Sequence, residues 1–215
     1  MSSLINSLNA QYIDIDINMT QSANQQPFWL LSNNNGANPS NYLNISFYDE
    51  RFLNKLTRIE YGIKTNLYKN FQNIQFEKLY FKIKNDKIFL RLGSNENLQN
   101  RNKKELSTGS LIESTNAKPI PKIIIGNSSY AKISLFKSIF YIKGVLAHGY
   151  LDRNNYKKAP LLHQKSISIK KHISANSSFT AGINHMAQWG GSSAIHGDQP
   201  SGYSEFLRVF FSSSG

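Results

Sequence analysis

The sequence predicts an all-β chain. Three observations carry that prediction. About ten segments alternate apolar and polar side chains with period two, turn-forming residues separate them, and no segment of convincing length repeats with a helical period.

The elements follow in chain order. Tyr12–Asn18 sets Ile13, Ile15 and Ile17 on one face and Asp14 and Asp16 on the other. Asn41–Tyr48 opposes Leu43, Ile45 and Phe47 to Asn44 and Ser46. Arg58–Tyr68 opposes Ile59, Tyr61, Ile63, Thr65 and Leu67 to Arg58, Glu60, Gly62, Lys64 and Asn66. Lys78–Lys84 and Lys87–Gly93 alternate in the same way, and the Asn85-Asp86 pair between them predicts a hairpin turn. Pro121–Gly126, Ser138–Tyr150, His163–Lys171, Ser178–Trp189 and Ser204–Phe211 complete the set of expected strands.

Two long loops interrupt the pattern. Ser94–Pro121 is polar and contains the basic run Arg101–Lys104, and Gly190–Gly202 is rich in Gly and Ser. Loops of this length are usually functional or external.

Composition narrows the function classes. The chain has 215 residues and no cysteine, which excludes a disulfide scaffold, a thiolate zinc site and a thiol nucleophile. Its formal net charge is +12, although charged residues make up only 18%. Residues 1–50 carry four acids and no Lys or Arg, a charge of −4, while the remainder sets 25 basic groups against nine acids, a charge of +16. No apolar run reaches the length of a transmembrane helix, and MSSLINSLNAQY lacks the charged start and apolar core of a signal peptide.

Period two alone admits two architectures. A soluble sandwich buries the apolar face of each strand, whereas a transmembrane barrel turns that face to lipid and the polar face inward. Here the polar face of several strands is small or basic, as at Gly62, Lys64, Lys143, Ser166, Ser168 and Lys170, and Tyr68, Tyr150 and Trp189 fall at strand ends. The two architectures are separable in coordinates: enclosure of Ile59, Ile63, Leu79, Phe81 and Ile183 in a shared core excludes the barrel.

Several ordered segments carry a resemblance. Pro160–Lys170 (PLLHQKSISIK), Ala181–Gly191 (AGINHMAQWGG) and Asp198–Phe211 (DQPSGYSEFLRVFF), with Gln26–Gly36 (QPFWLLSNNNG) and the strand RIEYGIKTNLY, resemble the capsule-assembly Wzi family of bacterial outer-membrane proteins. The resemblance implies an antiparallel up-and-down transmembrane β-barrel in the bacterial outer membrane that binds capsular polysaccharide at the cell surface, lectin-like and not enzymatic. Family members are about twice this long and carry a signal peptide. The expectation is therefore a fragment: a strand segment leading in over residues 1–25, then an incomplete barrel over 26–215, about ten strands of a larger one. Its partners are capsular polysaccharide and outer-membrane lipid or lipopolysaccharide, without nucleic acid or cofactor, and the full-length barrel is expected to be monomeric.

His163, His185 and His196 match no metal-ligand spacing and have no accompanying carboxylate cluster, so no metal site is expected. Ser192, His196 and Asp198 lie in one loop without a nucleophile elbow, and no carboxylate pair is marked out for glycoside hydrolysis. Sugar binding uses aromatic faces, amides and charges, and His185, Gln188, Trp189, Asp198 and Arg208 are the candidates, with Arg208 expected to face a lumen. Trp189 and Tyr150 also suit an interfacial girdle, and Trp29 suits a packing plug. The alternative is a soluble or periplasmic β-rich module that binds glycan or nucleic acid, with Lys78–Arg91 as its basic, aromatic sheet.

Overall fold

The alternating segments pair as antiparallel strands in the computed structural model, which describes residues 10–18 (backbone only), 35–36, 42–68, 73–95, 112–114, 116–153 and 156–213. Most of Gln26–Gly36, the run Arg101–Lys104 and Trp29 lie outside the described residues. The chain divides into two units, Met1–Lys82 with Gly93–Pro119, and Ile83–Leu92 with Ile120–Gly215.

The first unit is a meander of β1 (Ala10–Asn18), β2 (Tyr42–Phe52), β3 (Arg58–Tyr68) and β4 (Asn73–Lys84), the last two residues of β4 belonging to the second unit. Register places Ile13, Ile15 and Ile17 opposite Phe47, Ile45 and Leu43, as the period-two reading requires. The β2–β3 turn is closed by Asn54, whose side-chain oxygen accepts the backbone N–H groups of Leu56 and Thr57.

One face of this unit is polar and enclosed. Asn66 has no exposed surface and accepts a 2.5 Å hydrogen bond from Asn44. Lys64 pairs with Glu77 at 2.8 Å, Lys82 with Glu60 at 2.9 Å and Arg58 with Glu50 at 3.0 Å, so each of these carboxylates has a cation beside it. Charges taken out of water persist only when paired and hydrogen-bonded, and this face meets that condition. Gly62 lies on the same face beneath Tyr80, whose ring would be 2.8 Å from any Cβ there.

Strand β4 contains an irregularity that the sequence reading did not include. Ile74 and Phe76 are exposed and Glu77 is buried, whereas Leu79 and Phe81 are exposed and Lys82 is buried. The apolar parity therefore changes across Glu77 and Lys78, the mark of one extra residue in a bulge. Gly93 sits against this point with φ +101°, and a Cβ on it would be 2.2 Å from the Leu79 carbonyl oxygen.

The second unit contains β5 (Ile88–Ser94, except its last two residues), β6 (Lys122–Asn127), β7 (Ala131–Leu135), β8 (Ser138–Tyr150), β9 (Leu161–His172) and β10 (Ser178–Trp189). The order is β5-β6-β8-β9-β10, and β7 pairs with β8 beyond the end of β6. The expected turn before β5 is present: Asn85 accepts hydrogen bonds from the N–H groups of Lys87 and Ile88 through its side-chain oxygen. In the Gly/Ser-rich loop, β11 (Ser192–Ser193) and β12 (Gly197–Asp198) form a two-residue ribbon.

Burial in the first unit is inverted relative to a soluble sheet, and in the second unit it is mixed. Leu79 is 51%, Phe81 41% and Ile183 73% exposed, while Asn44, Glu60, Asn66, Glu77, Lys82, Arg91, Lys122 and Gln164 are buried. Ile59 and Ile63 are partly exposed, and the five residues share no enclosed core. The enclosed apolar residues Phe89, Ile124, Ala147 and Leu162 lie in the second unit, on the face that also carries Arg91, Lys122 and Gln164.

One expected strand is a helix. Tyr203–Phe211 forms α1, ended by Ser212 in the left-handed conformation with its N–H returning to the Arg208 and Val209 carbonyls. Aromatic residues occur at both parities of this segment, which reads as a strand. Phe206, Val209 and Phe210, however, stand at the i, i+3, i+4 spacing of one helical stripe. Packing of that stripe on the sheet selects the helix.

Candidate functional site

Residues directly opposite in antiparallel strands share a face, so register alone assembles the first cluster. His148 on β8 is opposite His163 on β9, which is opposite Ala187 on β10, and His185 and Trp189 are opposite Lys165 and Leu161. All four rings therefore lie on one face, the face that also presents Ile167, Ile169 and Ile183.

Helix α1 covers this end of the face. Phe206 stands 5.2 Å from His148 and 6.1 Å from Trp189 between ring centroids, and Phe210 stands 5.6 Å from His163. Lys165 donates to the Phe210 carbonyl oxygen in the last helical turn, where a cation complements the negative end of the helix dipole. His163 has no exposed surface, and its Nδ1 is 3.0 Å from Nε2 of His148. Nε2 of His163, Nδ1 of His185 and Nε1 of Trp189 are buried without a hydrogen-bond partner among the described residues. The cluster is an aromatic seat for the helix. Among the described residues no group of three or more His, Cys, Asp or Glu side chains could hold a metal ion.

The five residues expected to contact sugar separate. His185 stands beside His163 and Trp189 beside His148, on the face that α1 covers. Gln188 projects from the opposite face of β10 and is exposed, since neighbouring strand residues alternate faces. Asp198 is exposed on β12 opposite Ser192. Arg208 does not face a lumen from a strand: it lies on the exposed side of α1, 3.4 Å from Glu205 one helical turn earlier. Ser192, His196 and Asp198 share no side-chain hydrogen bond among the described residues; His196 instead donates its backbone N–H to Ser193.

A second cluster occupies the opposite, polar face of the same strands. Lys143 on β8 is opposite Ser168 on β9, and Lys170 is two residues further along β9. Tyr130, just before β7, reaches across Lys143 and its hydroxyl lies 3.1 Å from Oγ of Ser168. The Lys170 ammonium stands 4.8 Å and the Lys143 ammonium 6.0 Å from the Tyr130 ring centroid. Both are within the range of cation–π attraction. Neither lysine makes an ion pair among the described residues.

Sequence reasoning included the two lysines as basic polar-face residues but missed Tyr130, His148, Phe206 and Phe210. Tyr130 precedes a five-residue strand that the reading omitted, and the two phenylalanines belonged to a segment read as extended. No family model, no curated protein and no solved structure matches the chain.

Proposed function

We propose that this chain forms part of the wall of an outer-membrane β-barrel that binds capsular polysaccharide and assists its attachment at the cell surface, without catalysis. The observation that carries the reading is the inverted burial. Exposed Leu79 and Phe81 lie on the same strand as enclosed Glu77 and Lys82, an arrangement that water disfavours and lipid favours. Strands β2, β3, β4, β8, β9 and β10 run 11–13 residues, and about ten tilted residues cross the hydrocarbon layer. The polysaccharide partner comes from the resemblance of Pro160–Lys170 and Ala181–Gly191 to the capsule-assembly family, and the basic, hydroxyl-bearing polar face suits such a ligand.

Because the chain contains no cysteine, single thiols report each face cleanly. Leu79→Cys, Ile183→Cys, Asn66→Cys and Ser168→Cys are each labelled with a fluorophore and folded into vesicles containing a lipid-borne quencher. Quenching at 79 and 183 but not at 66 and 168 supports the barrel wall. Equal quenching at all four positions, or none, overturns it.

A further inference from the structure

The two units handle charge differently. Strands β1–β4 contain six acids (Asp14, Asp16, Asp49, Glu50, Glu60, Glu77) and six basic residues. Strands β5–β10 contain seven basic residues and no Asp or Glu. In the first unit the enclosed Glu60 and Glu77 are matched by lysines of the same chain. In the second unit Lys143 and Lys170 stand on the polar face without such a partner among the described residues. A carboxylate from outside can therefore complete them.

We infer that Tyr130, Lys143, Lys170 and Ser168 form a binding site for a carboxylate-bearing saccharide, the acidic sugar of a uronate-containing polysaccharide. The inference rests on the glycan-binding reading above and names the ligand class and the site. Each part has a chemical task. The two ammonium groups supply charge-assisted hydrogen bonds to a carboxylate. The Tyr130 ring holds them over its face, and its bond to Ser168 fixes the ring across β8 and β9. Gly182, opposite Ser168 on β10, leaves the adjoining surface without a side chain, and Thr180, opposite Lys170, supplies a hydroxyl beside it.

The test measures binding of oligogalacturonate, neutral malto-oligosaccharide and inorganic phosphate to the full chain folded in detergent. Variant Lys143→Gln/Lys170→Gln is compared with Lys87→Gln/Lys171→Gln, which removes the same charge from a turn and from the apolar face. The site predicts that the first variant weakens oligogalacturonate binding about tenfold or more, the loss of one or two charge-assisted hydrogen bonds, while the second does not. Tyr130→Ala shares the loss, and Tyr130→Phe, which keeps the ring, retains most of the binding. Equal weakening by both double variants overturns the site in favour of diffuse charge attraction. Phosphate competing as well as the oligogalacturonate overturns the carboxylate assignment. Binding of the neutral sugar alone overturns this inference and leaves the glycan reading standing. Binding of neither sugar overturns both, while the vesicle-quenching pattern still reports on the barrel independently.

Discussion

The Lys82 ammonium lies 2.9 Å from the Glu60 carboxylate, both side chains nearly enclosed, while Phe81 immediately before Lys82 is exposed. In a soluble sheet those roles are reversed. The pair shows that the enclosed side of this unit is held by complementary charges and amides.

Breaking such a buried pair removes the closest opposite charge from the group that stays, which costs up to about 3–5 kcal/mol. Lys82→Met and Glu60→Gln are therefore each expected to destabilise the folded chain strongly, and the double variant less than the sum of the two. Denaturant unfolding in detergent provides the double-mutant cycle. Simple additivity in that cycle is incompatible with a coupled pair.

Gly93 tests the bulge. Its positive φ and its approach to the Leu79 carbonyl leave no room for a methyl group. Gly93→Ala is expected to cost roughly 1–3 kcal/mol or more, since strain of φ and a backbone clash act together. The unfolding midpoint reports it, and an unchanged midpoint removes the close approach from the account.

Ile183 separates lipid from water as the surroundings of the apolar face. An exposed isoleucine in water tolerates arginine within about 0.5 kcal/mol. On a lipid-facing strand the same change costs about 2–4 kcal/mol near the midplane. Ile183→Arg is expected to lower the yield of folding into vesicles while leaving the polar-face change Ser168→Thr near wild type. Equal yields contradict lipid contact at this position.

Helix α1 is expected to detach locally when its aromatic stripe is cut. In a Trp29→Phe background Trp189 is the single remaining tryptophan. Phe206→Ala removes the ring 6.1 Å from it. The expected result is a red-shifted Trp189 emission with the far-ultraviolet strand signal retained. Unshifted emission indicates that Trp189 does not sense the helix.

Much of the strand framework was legible because period two is a local property. Asn41–Tyr48, Arg58–Tyr68, Ser138–Tyr150 and Ser178–Trp189 show their faces in their own residues, and Asn85 shows its turn. The candidate site was less legible. His185 and Trp189 share a parity, so their place on one face could be anticipated. His148 joins them only through the β8–β9 register, and Phe206 only through the folding back of a helix. Arg208 was misplaced because a nine-residue segment with aromatics at both parities satisfies either period until something packs against it.

The sequence by itself determined an all-β chain, the division of each strand into an apolar and a polar side, and the imbalance of acids and bases along its length. Which side is enclosed, it could not decide, since alternation is symmetric between a face turned to a core and a face turned to lipid. Only the tertiary structure decided that. Pairing brought Lys64 to Glu77, Lys82 to Glu60 and Asn44 to Asn66, giving the polar side partners enough to be enclosed, and left Leu79 and Phe81 outside. The same pairing placed Tyr130 across Lys143 and Lys170, a contact of a loop residue with two strands that no local pattern encodes.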